Sequence, residues 1–280
     1  MTELRQRMID DMQLAGYAQR TQKSYTDAVN QLARHYQCSP DKINEEDLRR
    51  FFLYLIKDRG LSPSTIKIYL SAIKFFYEKT LGYQWRFLEF ACPRKERKLP
   101  VVLSPEEVHN VLALVRKPML RAVLTVIYCC GLRLNEAVTL KLDDIDSKRM
   151  LVRVHGKGGK DRYVPLPDAT LKLLHSYWLL FQPKTWLFPS QRKTDRPICH
   201  SAVQRAFKDA LRTSGIHKKA SVHSLRHSYA THLLEEGQNL RVIQKLLGHK
   251  SPNTTAIYTH LTQKTIESLH ESINRLMTAG

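Results

Sequence analysis

A mainly α fold is predicted for this chain of 280 residues: an N-terminal four-helix domain followed by a mostly helical C-terminal domain with a small antiparallel sheet. Three observations predict it. Apolar residues recur at helical spacing through most of the chain, a proline-bounded basic stretch at 93–100 (PRKERKLP) breaks that periodicity, and only the strings LVRV and RYVPL alternate like paired strands.

The elements follow in order. A short helix is expected near Leu4 to Met12. Tyr25, Ala28, Val29, Leu32, Ala33 and Tyr36 recur as the stripe of an amphipathic helix, and Leu48, Phe51, Phe52, Leu55 and Ile56 make a second stripe. Ser62 before Pro63 is an N-cap followed by a proline at the first helical position, where a missing N–H costs nothing. The helix it opens carries Ile66, Tyr69, Leu70, Ile73, Phe76 and Tyr77 on one face. These helices form a four-helix domain over 1–92, residues 93–100 a basic linker, and 101–280 a second domain.

Within that second domain Ser104, Pro105 and Glu107 spell a capping box. Val123 to Cys130 is an apolar, buried helix running into Gly131. LVRV and RYVPL form a hairpin around the turn GKGGK, whose glycines supply backbone freedom; the Walker A spacing is absent. Helices near 168–180, 200–213, 224–236 and 240–247 follow. Ile266, Leu269, Ile273, Leu276 and Met277 mark a terminal helix that needs a partner surface, on its own domain or on a neighbouring protomer.

Charge narrows the partner. The chain has 45 Lys+Arg against 26 Asp+Glu, a net of +19; residues 1–92 contribute 14 − 11 = +3, so 93–280 carry +16. Such an excess suits a polyanion better than a small acidic molecule, because counterion release rewards many separated cations. Five cysteines without a CxxC pair fit a reducing cytosol. The charged start MTELRQRMIDDM does not resemble a signal peptide, and no apolar run approaches the ~20 residues of a membrane span, so a cytoplasmic protein with no membrane partner is expected.

Six residues in short strings carry a chemistry: Arg133 in GLRLNE, Lys157 in HGKGGKDRYVPL, His223 and Arg226 in HSLRH, His249 in LLGHKS and Tyr258 in NTTAIYTHL. Displacement at a phosphodiester builds negative charge on the nonbridging and leaving oxygens, which positioned cations stabilise without a metal. Arg133 and Arg226 supply planar forks that match phosphate oxygens, and His249 a further donor. Lys157 is a general acid for the leaving 5′ oxygen, provided neighbouring cations lower its pKa. Tyr258 is the nucleophile, and His223 is left as base or hydrogen-bond partner. Each residue alone also has an ordinary reading: Arg133 as a cation complementing a helix end, His227 and His232 as packing residues, Tyr258 as a core or surface aromatic. A zinc site on His223, His227 and His232 lacks an HExxH string or a cysteine pair, and no cofactor or metal is expected.

These strings, in this order, resemble the tyrosine recombinases, the lambda-integrase or phage integrase family, and are XerC/XerD-like. The resemblance spans the whole chain, and it implies that 1–92 is a core DNA-binding domain and 101–280 the catalytic domain, ending in an oligomerisation helix. It implies that Tyr258 joins a DNA 3′ phosphate, that Arg133, Arg226 and His249 hold that phosphate, that Lys157 protonates the 5′ oxygen, and that His223 assists proton transfer. Glu136 matches the acidic residue that buttresses the first arginine, while Asn135 stands where the family commonly has a small residue. Lys160 and Arg162, beside the turn, are expected to contact the DNA backbone. The implied partner is double-stranded DNA with inverted half-sites, bound by a homodimer and synapsed by a homotetramer. The rivals are a type IB topoisomerase-like enzyme, which would relax any supercoiled plasmid, and a catalytically silent DNA-binding or architectural protein.

Overall fold

The computed structural model describes residues 2–83, 99–156 and 161–248. Two compact units are present, 1–98 and 99–280. Most of the linker (93–98), Lys157 and Lys160 in the hairpin turn, and His249, Tyr258 and the terminal helical stripe lie outside the described residues.

The first unit is built from α1 (Glu3–Leu14), α2 (Gln19–Tyr36), α3 (Glu45–Lys57) and α4 (Pro63–Phe75), the last continuing through a π-helical turn at Phe76–Leu81. Ser62 caps α4 by accepting from the Thr65 N–H, as its place before Pro63 predicts. The expected stripes form the core: Leu32, Leu48, Phe51, Leu55, Ile66, Ile73 and Tyr77 are all buried. Ile56, read as part of the α3 stripe, is instead exposed. Two tyrosines tie segments together, Tyr36 at the end of α2 donating to Asp47 O in the first turn of α3 at 2.6 Å and Tyr77 donating to Pro40 O, in the connection between α2 and α3, at 2.5 Å.

In the second unit α5 (Pro105–Ala113) opens with the predicted box: Ser104 Oγ accepts from Glu107 N at 3.2 Å and Glu107 Oε2 from Ser104 N at 2.8 Å. Next comes α6 (Pro118–Cys129), the hub of the unit, whose Val123, Leu124, Val126 and Ile127 are fully buried. It packs against α8 (Asp168–Phe181), α9 (His200–Thr213) and α10 (Val222–Glu235), as well as against α5 and the short α7 (Leu134–Val138). A final described helix, α11 (Leu240–Leu247), lies against α10 and the sheet.

That sheet has three antiparallel strands rather than the two of the expected hairpin. The order is β1 (Ile145–Asp146), β2 (Leu151–His155), β3 (Asp161–Pro165), with Val152 opposite Val164 and His155 opposite Asp161. β1 escapes a periodicity reading because two residues cannot show alternation. On β2 and β3, Val152, Val154 and Val164 point into the core and Arg162, paired with Val154 and two residues from Val164, shares their face, while Arg153 and His155 lie on the opposite side. Among the described residues no helix is long and apolar enough to cross a membrane.

Candidate active site

Arg133 is positioned by the way α6 stops. Leu132 N donates to Ile127 O at 3.0 Å and Gly131 N to Tyr128 O at 3.3 Å, the paired bonds of a Schellman motif. Gly131 takes the left-handed conformation that motif needs, with φ +60°, and a Cβ there would lie 2.4 Å from the Tyr229 ring. Arg133 then begins α7 as its N-cap residue rather than completing the C-terminal end of α6. The plain helix-dipole role open to it in the sequence is thereby removed.

Glu136, three residues on, gathers the site. Its carboxylate accepts from Arg133 N at 2.8 Å and Arg133 Nη1 at 2.7 Å, from Arg162 Nη1 at 3.0 Å and Nη2 at 2.8 Å, and lies 3.7 Å from Arg226 Nη1. Burial alone would raise the pKa of this carboxyl, but the hydrogen bonds and charges of Arg162 and Arg133 outweigh it and hold the pKa at about 2. Glu136 is therefore an anion at any physiological pH.

The end of α11 is the second anchor. Its last carbonyls have no partner within the helix and carry the negative end of the dipole. Arg162 Nε donates to Leu246 O at 2.7 Å, Arg226 Nη2 to Leu247 O at 2.5 Å and Arg133 Nη2 to Gly248 O at 3.4 Å. Three consecutive carbonyls thus take three different arginines. Arg226 adds a bond from Nη1 to Gly131 O at 2.6 Å, so α6, α7, β3, α10 and α11 all converge here.

Three guanidiniums against one carboxylate leave the cluster at a formal +2, suited to an anion. The cations differ in access. The Arg133 side chain is 37% exposed, Arg162 12% and Arg226 5%. The two arginines read as equal forks are therefore unequal: Arg133 reaches the surface, whereas Arg226 is held from within. Arg162, expected as a DNA-backbone contact, is turned into the cluster. On β3 it shares the inner face with Val164, where α11 and α7 cover it, and its nitrogens are engaged on Glu136 and Leu246.

His223 and Arg226 share one face of α10 at i and i+3, which explains the spacing of HSLRH. Burial, then the charges of Arg226 and Arg133, lowers the His223 pKa against the opposing pull of Glu136. A neutral imidazole beside guanidiniums can take up a proton. His227 is pushed to about 4 by burial and by His223 and Arg226. His232 stands apart, with Nε2 2.9 Å from Leu103 O and Nδ1 2.9 Å from the Tyr128 hydroxyl. Those contacts assign its proton to Nε2 and give it the packing role. Among the described residues no group of three His, Cys, Asp or Glu side chains is arranged to hold a metal.

A brace that the sequence did not disclose closes the hairpin before its turn. His155 sits between two carboxylates, Nδ1 3.0 Å from Asp161 and Nε2 3.1 Å from Asp144, and Asp144 also accepts from Arg153 Nε at 3.0 Å. Arg153 and His155 at i, i+2 on the outer face of β2 were the available signal, but buried Asp144 belongs to no strand and had no pattern to mark it.

Comparison with known proteins agrees with this construction. The phage integrase family model matches residues 102–265, and the phage integrase N-terminal SAM-like domain matches 4–86. A putative integrase/recombinase of Sinorhizobium fredii is 46% identical over 92% of this chain and 84% of its own length. The tyrosine recombinase XerD of Oceanobacillus iheyensis is 34% identical over 83% of this chain and 82% of its own. Among solved structures, the XerH site-specific recombinase bound to its palindromic difH substrate in a post-cleavage complex has a TM-score of 0.66 and 25% identity, covering 83% of this chain and 73% of that one.

Proposed function

The chain belongs to the phage integrase family, and from that premise we propose that it is a site-specific DNA recombinase that cuts and rejoins strands through a 3′-phosphotyrosyl intermediate. The observation that carries the reading is the convergence of Arg133, Arg162 and Arg226 on Glu136 and on the carbonyl end of α11. A phosphate entering beside Arg133 meets a preorganised excess of positive charge and needs no metal to offset the charge that develops on its oxygens. Arg133 contacts a nonbridging oxygen directly, and Arg226 acts from a buried position where its charge is little screened.

The remaining roles follow from chain position. Tyr258 attacks the scissile phosphorus; its Oη–P bond forms as the bond to the 5′ oxygen breaks, and Lys157 delivers the proton that the 5′ oxygen takes up. His223, kept neutral by burial and by its arginine neighbours, receives or holds the phenolic proton. His249, following Gly248 directly in the chain, donates to the same phosphate oxygens. In the reverse step a 5′ hydroxyl attacks the phosphotyrosine and expels Tyr258, so bond energy is conserved and no nucleotide is consumed.

A palindromic substrate, as in the XerH complex, fits a dimer on inverted half-sites and a homotetramer in the synapse. Residues 1–92, 93–100 and 101–280 then act as core-binding domain, linker and catalytic domain, working in the cytoplasm on nucleoid DNA. The test is a nicked suicide substrate built from inverted repeats flanking the gene. The parent protein should yield a complex that survives SDS, and Tyr258→Phe should bind the same DNA yet yield none. Relaxation of plasmids lacking the repeats would favour a topoisomerase instead, and equal behaviour of the parent and Tyr258→Phe would favour an architectural protein.

A further inference from the structure

Arg162 differs from the other two arginines of the cluster in spanning it. Its Nη1 and Nη2 take both oxygens of Glu136, on α7, while Nε takes the Leu246 carbonyl at the end of α11. We infer that Arg162 is a positioning residue of the recombination site, fixing the distance between the two anchors, the Glu136 carboxylate and the α11 terminus, on which Arg133 and Arg226 are held. This rests on the recombinase reading above.

Only a guanidinium can make this bridge. One planar edge pairs with a carboxylate while the Nε–H points elsewhere, whereas a lysine offers a single nitrogen and no plane. The local fit is close. Gly248, with φ +62°, runs alongside the Arg162 stem, and a Cβ there would lie 3.2 Å from Arg162 Cδ and 3.3 Å from Nη1. The side chain is 12% exposed, against 37% for Arg133, so it is Arg133 that meets an incoming phosphate and Arg162 that sets where Arg133 stands.

Removing the bridge has two consequences. Glu136 loses its bidentate partner and is free to rotate, carrying Arg133 Nη1 with it. The α11 terminus loses its tie to β3, and with it the placement of Leu247 O, which receives Arg226. The groups facing Glu136 are then Arg133 from the start of α7 and Arg226 and His223 from α10. With one cation fewer, the buried carboxylate takes up a proton at higher pH than before.

The experiment uses the full-length chain as the parent, Arg162→Lys, Arg162→Met and the double variant Arg162→Met/Glu136→Gln, with Tyr258→Phe as control. It follows salt-dependent binding to the flanking repeats, the rate of covalent capture at saturating DNA from about pH 5 to 8, and the thermal midpoint. Both single variants should bind within about twofold of the parent with an unchanged salt slope and capture about 100-fold more slowly, the size expected when reacting groups shift by about an ångström. The acid limb of the capture rate should move to higher pH in Arg162→Met and move back in the double variant, whose capture is slow but measurable in single-turnover time courses, a response that loss of packing alone would not give. Should Arg162→Met fail to fold, Arg162→Lys carries the test on its own. Parental capture rates in the Arg162 variants overturn the inference, as does weaker binding with a salt slope reduced by about one and an unchanged saturating rate, which marks a phosphate contact. If the parent gives no covalent complex on the repeats, the recombinase reading itself is overturned, a result distinct from either of these.

Discussion

In the first unit the deeply buried side chains are aromatic or aliphatic, and the buried polar residues described there, Thr26 and Thr80, are uncharged. The second unit buries Glu136, Asp144 and Arg226. The partners differ as much as the residues. Thr26 Oγ1 returns to Gln22 O, four residues back in its own helix, whereas Arg226 reaches Gly131 O across 95 positions and Arg162 reaches Glu136 across 26. A core of the first kind tolerates losses locally. One of the second kind ties distant segments together, and each loss strands charges that the fold has taken out of water.

The largest expected effect tests this difference with glycines. Gly131 and Gly82 both have positive φ, but a Cβ on Gly131 meets Tyr229 at 2.4 Å and one on Gly82 meets nothing within 4 Å. Gly82→Ala should cost only the backbone strain, about 1 kcal/mol. Gly131→Ala adds a collision at the turn that hands its carbonyl to Arg226, for a total on the order of 4 kcal/mol. Urea denaturation of each variant decides it: equal losses would mean that the α6 turn is no more constrained than the surface turn after α4.

Glu136→Gln comes next. It keeps the shape but leaves three guanidiniums without their carboxylate, at about 3 kcal/mol and with slowed covalent capture. Its pH signature is specific. The folded pKa of Glu136, about 2, lies below an unfolded value near ~4.3, so its stabilisation is complete above about pH 5 and is lost as pH falls through that range toward 2. The gap in thermal midpoint between the parent and Glu136→Gln should therefore be widest near neutrality and shrink with acid. A gap independent of pH would place the cost in packing rather than charge.

This contrast also explains what could be read in the sequence. The helices of the first unit and the capped start of α5 are local: a stripe with period 3.6, or a serine before a proline, states its own consequence, and Leu48, Phe51 and Ser62 behave accordingly. The hairpin was legible because Val152, Val154 and Val164 alternate. The strings around Arg133 and Arg226 marked a phosphate chemistry, and the structure brings those two together. Illegible were the tasks set by tertiary approach. Arg162 alternates with Val164 on the inner face of β3, but nothing within the strand names α11 and Glu136 as what covers it. His155 and Asp144 have no common period and meet only once β2 is paired. Ile56 fits the α3 stripe by spacing yet lies beyond the surface that packs on α3.

The smallest effect refines the comparison, because helix caps occur in both units. Ser62→Ala removes one acceptor, at 3.3 Å from Thr65 N, and should cost about 1 kcal/mol or slightly less. Ser104→Ala removes the corresponding acceptor for Glu107 N, but there the capping glutamate also holds the Ser104 N–H and the Lys218 ammonium, the latter at 2.6 Å. Lys218 donates further to Val102 O, so the start of α5 is tied to a segment more than a hundred positions away. If distant ties between charged groups are what distinguish the second unit, Ser104→Ala should leave the Glu107 and Lys218 pair in place and cost no more than Ser62→Ala, while Glu107→Gln, which weakens the bonds of its carboxylate to Ser104 N and to Lys218 together, should cost more than either. Thermal midpoints of the three variants check the order, and a Ser104→Ala loss exceeding that of Glu107→Gln would show that the cap acts locally in the second unit as it does in the first.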